Sequence, residues 1–360
     1  RVFAPAFANY QNSHPRRFSR NPVQDSTLNR AKQRRMINFR IARRANLIGN
    51  PFEIMKALIP CSLVGALALF VMAQNPAGEQ APPGALEKIS AALPEKPFAK
   101  PKKARTILVF SKTNGFRHAS IATGKLAFTE MGRKTGAFET VVSDDLANFE
   151  ADALKKFDAV CFLSTTMNVF SPTGAELKTM SEADQKVATE RELRIKANLM
   201  NFVKSGGGFI GIHAATDTFY DWPEYGKMIN GCFDGHPWVA TTRVSIKVEP
   251  GQEKHPLVAM FNGENVEFPE EIYQLKEPYD SKAVHMLLRL DTEKTDMTVK
   301  GIKRTDNDFG VAWARPWEKG RVFYCSLGHN HEIFWHPKVL RHYLAGTQWA
   351  LGDYEAEVKN

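Results

Sequence analysis

Between residues 105 and 212, short apolar runs alternate with amphipathic stretches of helix length. An apolar run of four to eight residues reads as a buried strand, and apolar positions three and four apart read as a helix face. Residues 106–111, 138–142, 157–164 and 209–212 are therefore expected to be strands. Residues 119–134 are expected to be a helix, with Ile121, Leu126 and Met131 among its apolar positions. Residues 190–204 form another, with Ile195, Leu199, Phe202 and Val203 on one face, stopped by Gly206, Gly207 and Gly208. Strands alternating with helices predict an α/β fold: a mainly parallel sheet with helices on both faces. After about residue 238 the pattern changes. Residues 241–248, 271–275, 284–290, 310–314 and 321–326 read as added antiparallel strands in the C-terminal half. A last helix is expected over 337–351, and the polar stretch 166–189 reads as an inserted loop.

The net charge of +9 suggests nucleic-acid binding until its location is considered. Residues 1–56 hold ten Arg and two Lys against only Asp25 and Glu53, a net of +10. The other residues carry 36 basic and 37 acidic side chains, so the folded body has no basic surplus for phosphate and no nucleic-acid partner is expected. Met55, Lys56, the apolar run that follows and the small residue Ala73 resemble a secretory signal peptide over 55–73. The run is roughly 16 residues, short for a membrane span. Met55 reads as the true start and residues 1–54 as a non-native upstream extension; the alternative is a basic arm before an uncleaved anchor. Val71 and Ala73 suit the positions before a cleavage site, so export to the periplasm or beyond is expected, with no stable membrane insertion after cleavage. N-terminal sequencing of the exported protein should then begin near Gln74; a stable product retaining the first fifty residues overturns this. Residues 74–104, rich in Pro, read as a stiff linker. The domain then spans 105–352, and 353–360 is a tail.

Cys161, Cys232 and Cys325 remain after the signal, with no CxxC spacing, which argues against a disulfide framework or a structural zinc site. No nucleotide-binding glycine loop stands between a strand and a helix, so no nucleotide cofactor is expected. No Gly-x-Ser-x-Gly elbow occurs either. Ligands of open α/β sheets bind at the carboxyl ends of the strands. His118, His213 and His329 all fall just after expected strands, which points to one shared site; His236 is a candidate fourth member or a loop cap. Tyr220, Trp222 and Trp238 lie in loops near Asp217 and His236, and flat aromatic faces beside polar groups suit a sugar ring. With Arg117 and His236 they make the expected substrate-binding set.

Four segments together resemble the ThuA-like, or trehalose-utilisation, family. They are Gly115-Phe116-Arg117-His118 with Ser120 and Ile121; residues 208–215 with Asp217; Phe219-Tyr220-Asp221-Trp222-Pro223 with Tyr225 and Gly226; and residues 320–329. The resemblance implies a flavodoxin-like sheet of the class I glutamine amidotransferase type and a role in the catabolism of trehalose or keto-sugars. In the amidotransferases the turn after the matching strand carries a nucleophilic cysteine. Here that position is His213, and His329 or His331 with Glu332 would occupy the later places. Imidazole cannot replace a thiolate in acyl transfer, so glutaminase chemistry is not expected. Neutral imidazoles at one sheet edge suit a divalent metal, zinc foremost. The resemblance implies His118, His213 and His329 as ligands, with Glu271. The expected catalytic groups are His213, Asp217 and Glu332, acting on a small carbohydrate. Metal-free acid–base chemistry by His213 and Asp217, or a non-catalytic sugar-binding or envelope-assembly module, are the alternatives; convergence of the histidines favours an enzyme.

Overall fold

The computed structural model describes residues 80–359; the upstream segment, the signal-like run and its cleavage point lie outside them. In chain order the elements are α1 (Ala85–Ala92), β1 (Thr106–Phe110), α2 (Ile121–Thr135), β2 (Glu139–Val142), α3 (Ala151–Leu154) and β3 (Ala159–Leu163). There follow α4 (Gly174–Thr179), α5 (Glu182–Lys204), β4 (Gly208–Ile212), α6 (Pro223–Ile229), β5 (Cys232–Phe233) and β6 (Arg243–Val248). The chain ends with β7 (Val266–Pro269), β8 (Leu275–Lys276), β9 (His285–Leu290), β10 (Gly310–Trp317), β11 (Gly320–Cys325) and α7 (Pro337–Ala350).

One sheet takes nine strands in the order β2-β1-β3-β4-β11-β10-β9-β6-β7. From β2 to β11 neighbours are parallel; from β11 onward they are antiparallel. The parallel half has the flavodoxin-like order, with β11 arriving from the far end of the sequence as its fifth strand. Alternation along each strand feeds two cores. Ile107 and Val109 of β1 join Phe128 and Met131 of α2 and Leu340 and Leu344 of α7. Leu108 and Phe110 join Ile195 and Leu199 of α5 and Tyr225 of α6 on the other face. The expected α/β sheet covered on both faces and extended by antiparallel strands is thus the observed one.

Several local expectations need correction. The described part of the expected linker includes α1, whose Ala85 and Ile89, with Leu93 just beyond, recur every four residues and are buried against the rest of the domain. Farther along, the Gln348 side chain bonds both the N–H and the C=O of Ala99. The tail is also tied down: Arg105 pairs with Asp353 at 2.7 Å. The expected loop 166–189 contains α4 and the first turns of α5. Thr173 and Glu176 form a capping box, and the Ser181 side chain caps α5 by accepting from the Asp184 N–H. This stretch is polar because α4 buries no side chain and the start of α5 faces solvent. The strand expected at 271–275 is not a ladder strand: only Leu275 belongs to a strand, and Ile272 makes an isolated bridge with Trp238. Its neighbour β7, not expected from sequence, takes the edge of the sheet. No helix among the described residues is long and apolar enough to cross a membrane.

Candidate metal centre

The carboxyl ends of β1, β4 and β11 deliver three imidazoles to one point. His213 is the first residue after β4, at φ +52°, a left-handed turn that side-chain-bearing residues rarely adopt. Its ring is fully buried. Its Nδ1–H donates to the Ser326 carbonyl at 2.7 Å, so its Nε2 is bare, and the Tyr273 hydroxyl donates toward that nitrogen from 3.2 Å. His118 reaches in from the loop after β1 and sets its Nε2 3.1 Å from that of His213. His329 comes from the loop after β11; its Nδ1 stands 3.2 Å from Oε1 of Glu271, which is itself 3.7 Å from His213 Nε2. One potential ligand atom from each of the four side chains lies within 4.8 Å of all the others.

Two glycines permit this convergence. Gly328 sits at φ +139°, and a Cβ there would come within 3.1 Å of His213 Cβ. Gly115 acts by close approach: a Cβ would meet Met167 Cγ at 2.5 Å. Strain concentrates at the same sheet edge, since Ser164, Met167 and Phe219 also have positive φ, of 49°, 63° and 56°. Such backbone persists only where its surroundings fix it, and it collects at functional sites.

Electrostatics prepare the imidazoles to be ligands. Burial, then the neighbouring His329 and His236, push His118 down to about 3. Burial and the same imidazole crowding hold His213 well below its usual range. Both rings are therefore neutral at pH 7, as metal ligation requires. For His329 burial also acts downward, but the Glu271 carboxylate, helped by Glu270, outweighs it. The donor set fits a divalent cation. Donors about 2 Å from one ion at tetrahedral angles stand about 3.3 Å apart, and the separations of 3.1, 3.2 and 3.7 Å bracket that value. The His118 Nδ1 atom is buried without a hydrogen-bond partner among the described residues.

Around this centre the expected residues divide. His236 sits 3.4 Å from the other oxygen of Glu271 and, being half-exposed, lies on its solvent side. Asp217 accepts from the Tyr220 hydroxyl. Burial raises its pKa to about 6, against the Tyr220 bond and with the help of Glu271. Three others stand elsewhere. Trp238 is a core residue, fully buried, its Nε1–H donating to the Asp296 carbonyl. Trp222 packs on Phe219 and Tyr225. Glu332 is exposed in a 3-10 turn, where its charge acts on His331 rather than on the cluster. Arg117 donates to the Ser111 carbonyl at 2.9 Å, which braces the loop that carries His118.

Sequence reasoning assigned no role to Glu270. Its buried carboxylate accepts three successive backbone N–H bonds, from Gly328 and His329 on one oxygen and Asn330 on the other. It thereby holds the loop that presents His329. Burial raises its pKa to about 8, against the pull of those amides. Two adjacent carboxylates within an otherwise apolar stretch, Phe268 to Ile272, were the available signal, because a buried charge needs partners. A surface cleft of about 510 Å³ lies beside Gly206 and Gly207 at the opposite end of the sheet and contains none of these groups.

Comparison with known proteins follows this geometry. Among solved structures, a putative ThuA-like protein from Bacteroides uniformis is similar at 21% identity and a TM-score of 0.53, covering 70% of this chain and 94% of that one. A putative ThuA-like protein from Parabacteroides merdae is similar at 15% identity and a TM-score of 0.47, covering 69% and 90%. The first likeness supports the fold; the second falls too low to add to it. No curated protein matches the sequence. The ThuA family model, described as trehalose utilisation, matches residues 106–350, and the chain belongs to that family.

Proposed function

We propose that this protein carries out metal-assisted chemistry on a small carbohydrate, such as a trehalose-like glycoside or its keto derivative, after export by residues 55–73. The observation that carries the reading is the convergence of His118, His213, His329 and Glu271, drawn from loops spread over more than two hundred residues of sequence. Membership of the trehalose-utilisation family supports the substrate class. A divalent ion held there would supply Lewis-acid polarisation of a sugar oxygen or a water molecule. His213 and His118 hold their lone pairs inward as neutral donors, and Ser326 keeps the His213 proton on Nδ1. His236 flanks the solvent side of Glu271, where a hydroxyl group would arrive. Asp217, tuned by burial to about 6, moves the proton.

The test is elemental analysis of purified protein, with a turnover screen over glucosides and keto-glucosides before and after chelation. About one equivalent of metal and chelator-sensitive turnover are expected. Turnover that survives complete metal removal overturns the reading in favour of histidine and aspartate acting alone.

A pH dependence follows. The folded pKa of Asp217 is raised, so the carboxylate form needed in a base is lost as pH falls through about 6. The rate of the loaded protein should rise with pH to a plateau, its limb at or below 6 because a nearby cation favours the carboxylate. Asp217→Asn should lower kcat by roughly 10²–10⁴ and abolish that limb while metal content stays unchanged. A limb that persists in the variant assigns the titration to another group.

A further inference from the structure

Three large apolar side chains stand exposed at this same sheet edge. Phe116 is 65% exposed, Met167 46% and Tyr220 40%. Each follows a different parallel strand, β1, β3 or β4, and the three loops are knit together. Thr113 bridges Thr166, and Met167 bridges Thr218. The Thr166 hydroxyl donates to the Phe116 carbonyl at 2.9 Å, and the Phe219 N–H donates to the Met167 carbonyl at 3.2 Å. The Phe116 ring stands edge-on to His118, with centroids 4.8 Å apart, so it borders the donor cluster directly. Met167 lies against Gly115, in a backbone conformation that glycine would adopt with less strain.

Burying these side chains does not drive folding, and holding Met167 and Phe219 at positive φ opposes it. A surface that keeps apolar groups exposed on a strained, braced frame suits a ligand. Its extent decides which kind. Three side chains are far too few for a protein partner, which needs roughly 800 Å² from each side. The polar groups beside them are Asp217 with the Tyr220 hydroxyl, His236 and Glu271. A ligand that satisfies both has one flat apolar face and a hydroxylated edge, which describes a cyclic sugar.

We propose that Phe116, with Met167 beside it, is the platform on which the C–H face of a pyranose ring stacks, turning the hydroxyl edge toward Asp217, His236 and the donor cluster. Phe116 is thus the residue that selects a cyclic sugar over an open-chain polyol. The proposal deepens the carbohydrate reading above and rests on it.

The test measures binding to the full metal-loaded protein by saturation-transfer NMR and calorimetry. The probes are trehalose and methyl α-D-glucopyranoside, with sorbitol as the open-chain control. The cyclic probes should bind more tightly than sorbitol. Phe116→Ala should weaken them about tenfold or more, with little change for sorbitol. Phe116→Tyr should restore affinity to within about threefold. Metal content and thermal midpoint should stay at their original values, because the ring is exposed. Cyclic probes that bind Phe116→Ala undiminished, or that fail to bind the loaded protein, overturn the platform. If the platform fails while turnover remains chelator-sensitive, the metal reading stands alone. If Phe116 governs sugar binding in protein that needs no metal, the platform stands and the metal reading falls.

Discussion

His213→Ala is expected to empty the centre while leaving the sheet intact. Its Nε2 is the donor nearest to His118, and its ring lies within 5.4 Å, centroid to centroid, of both other imidazoles. Removing an outer partner of a metal site costs roughly 10- to 100-fold in affinity, so loss of a direct donor should exceed that. The Ser326 carbonyl loses its donor, roughly 1–3 kcal/mol. Metal content and turnover should therefore fall together, while the fold is retained with a thermal midpoint lowered by roughly 2–12 °C. His331→Ala is the control, since His331 lies two residues beyond His329 yet bonds to Thr123 instead of the cluster. Retained metal in His213→Ala, or equal loss in His331→Ala, would show that the convergence is a structural histidine network.

The second large effect is expected at Glu270, which touches neither metal nor substrate. Glu270→Ala leaves the N–H groups of Gly328, His329 and Asn330 without their acceptor, and at roughly 1 kcal/mol or more each the loss is about 3 kcal/mol. For a domain of this size that lowers the thermal midpoint by roughly 6–12 °C. Freed of its anchor, the loop no longer fixes His329, and metal affinity should drop by roughly 10- to 100-fold. Glu270→Gln separates the two roles. One amide oxygen still accepts from Gly328 and His329, whereas the NH₂ faces the Asn330 N–H, so both losses should be partial. A Gln variant as impaired in metal binding as the Ala variant, with its midpoint preserved, would mean that charge rather than positioning is what Glu270 contributes.

What the sequence disclosed follows from how local each determinant is. β1, β3 and β4 were legible because a fully buried parallel strand must be apolar at every position, as Ala159–Leu163 is. His213 was legible because it directly follows β4 and the strand sets its place, and His329 nearly so; His118 was harder to place, because residues 112–117 must fold back over the sheet edge before it. α1 was not, because its proline-bounded segment becomes a helix only when Ile89 finds its site in the core. The chemistry of 270–273 was hidden for a related reason. Its alternation looks like a ladder strand, but the segment spends its side chains on the site: Glu270 on three amides, Glu271 on the cluster and Tyr273 on His213. Trp238 shows the reverse error, since a tryptophan between expected elements looks available to a ligand until tertiary packing closes over it.

The dispersion of the four donors bears on how the protein is made. Residues 118, 213, 271 and 329 come together only when β11, the last strand, has slotted beside β4. Until that strand is placed, the cluster lacks His329. If an ion is bound there as proposed, its capture waits for the final strand and for the Glu270 clasp on the loop after it. An ion bound at this centre reports a finished molecule, and loading belongs to whichever compartment holds the chain when its last strand docks.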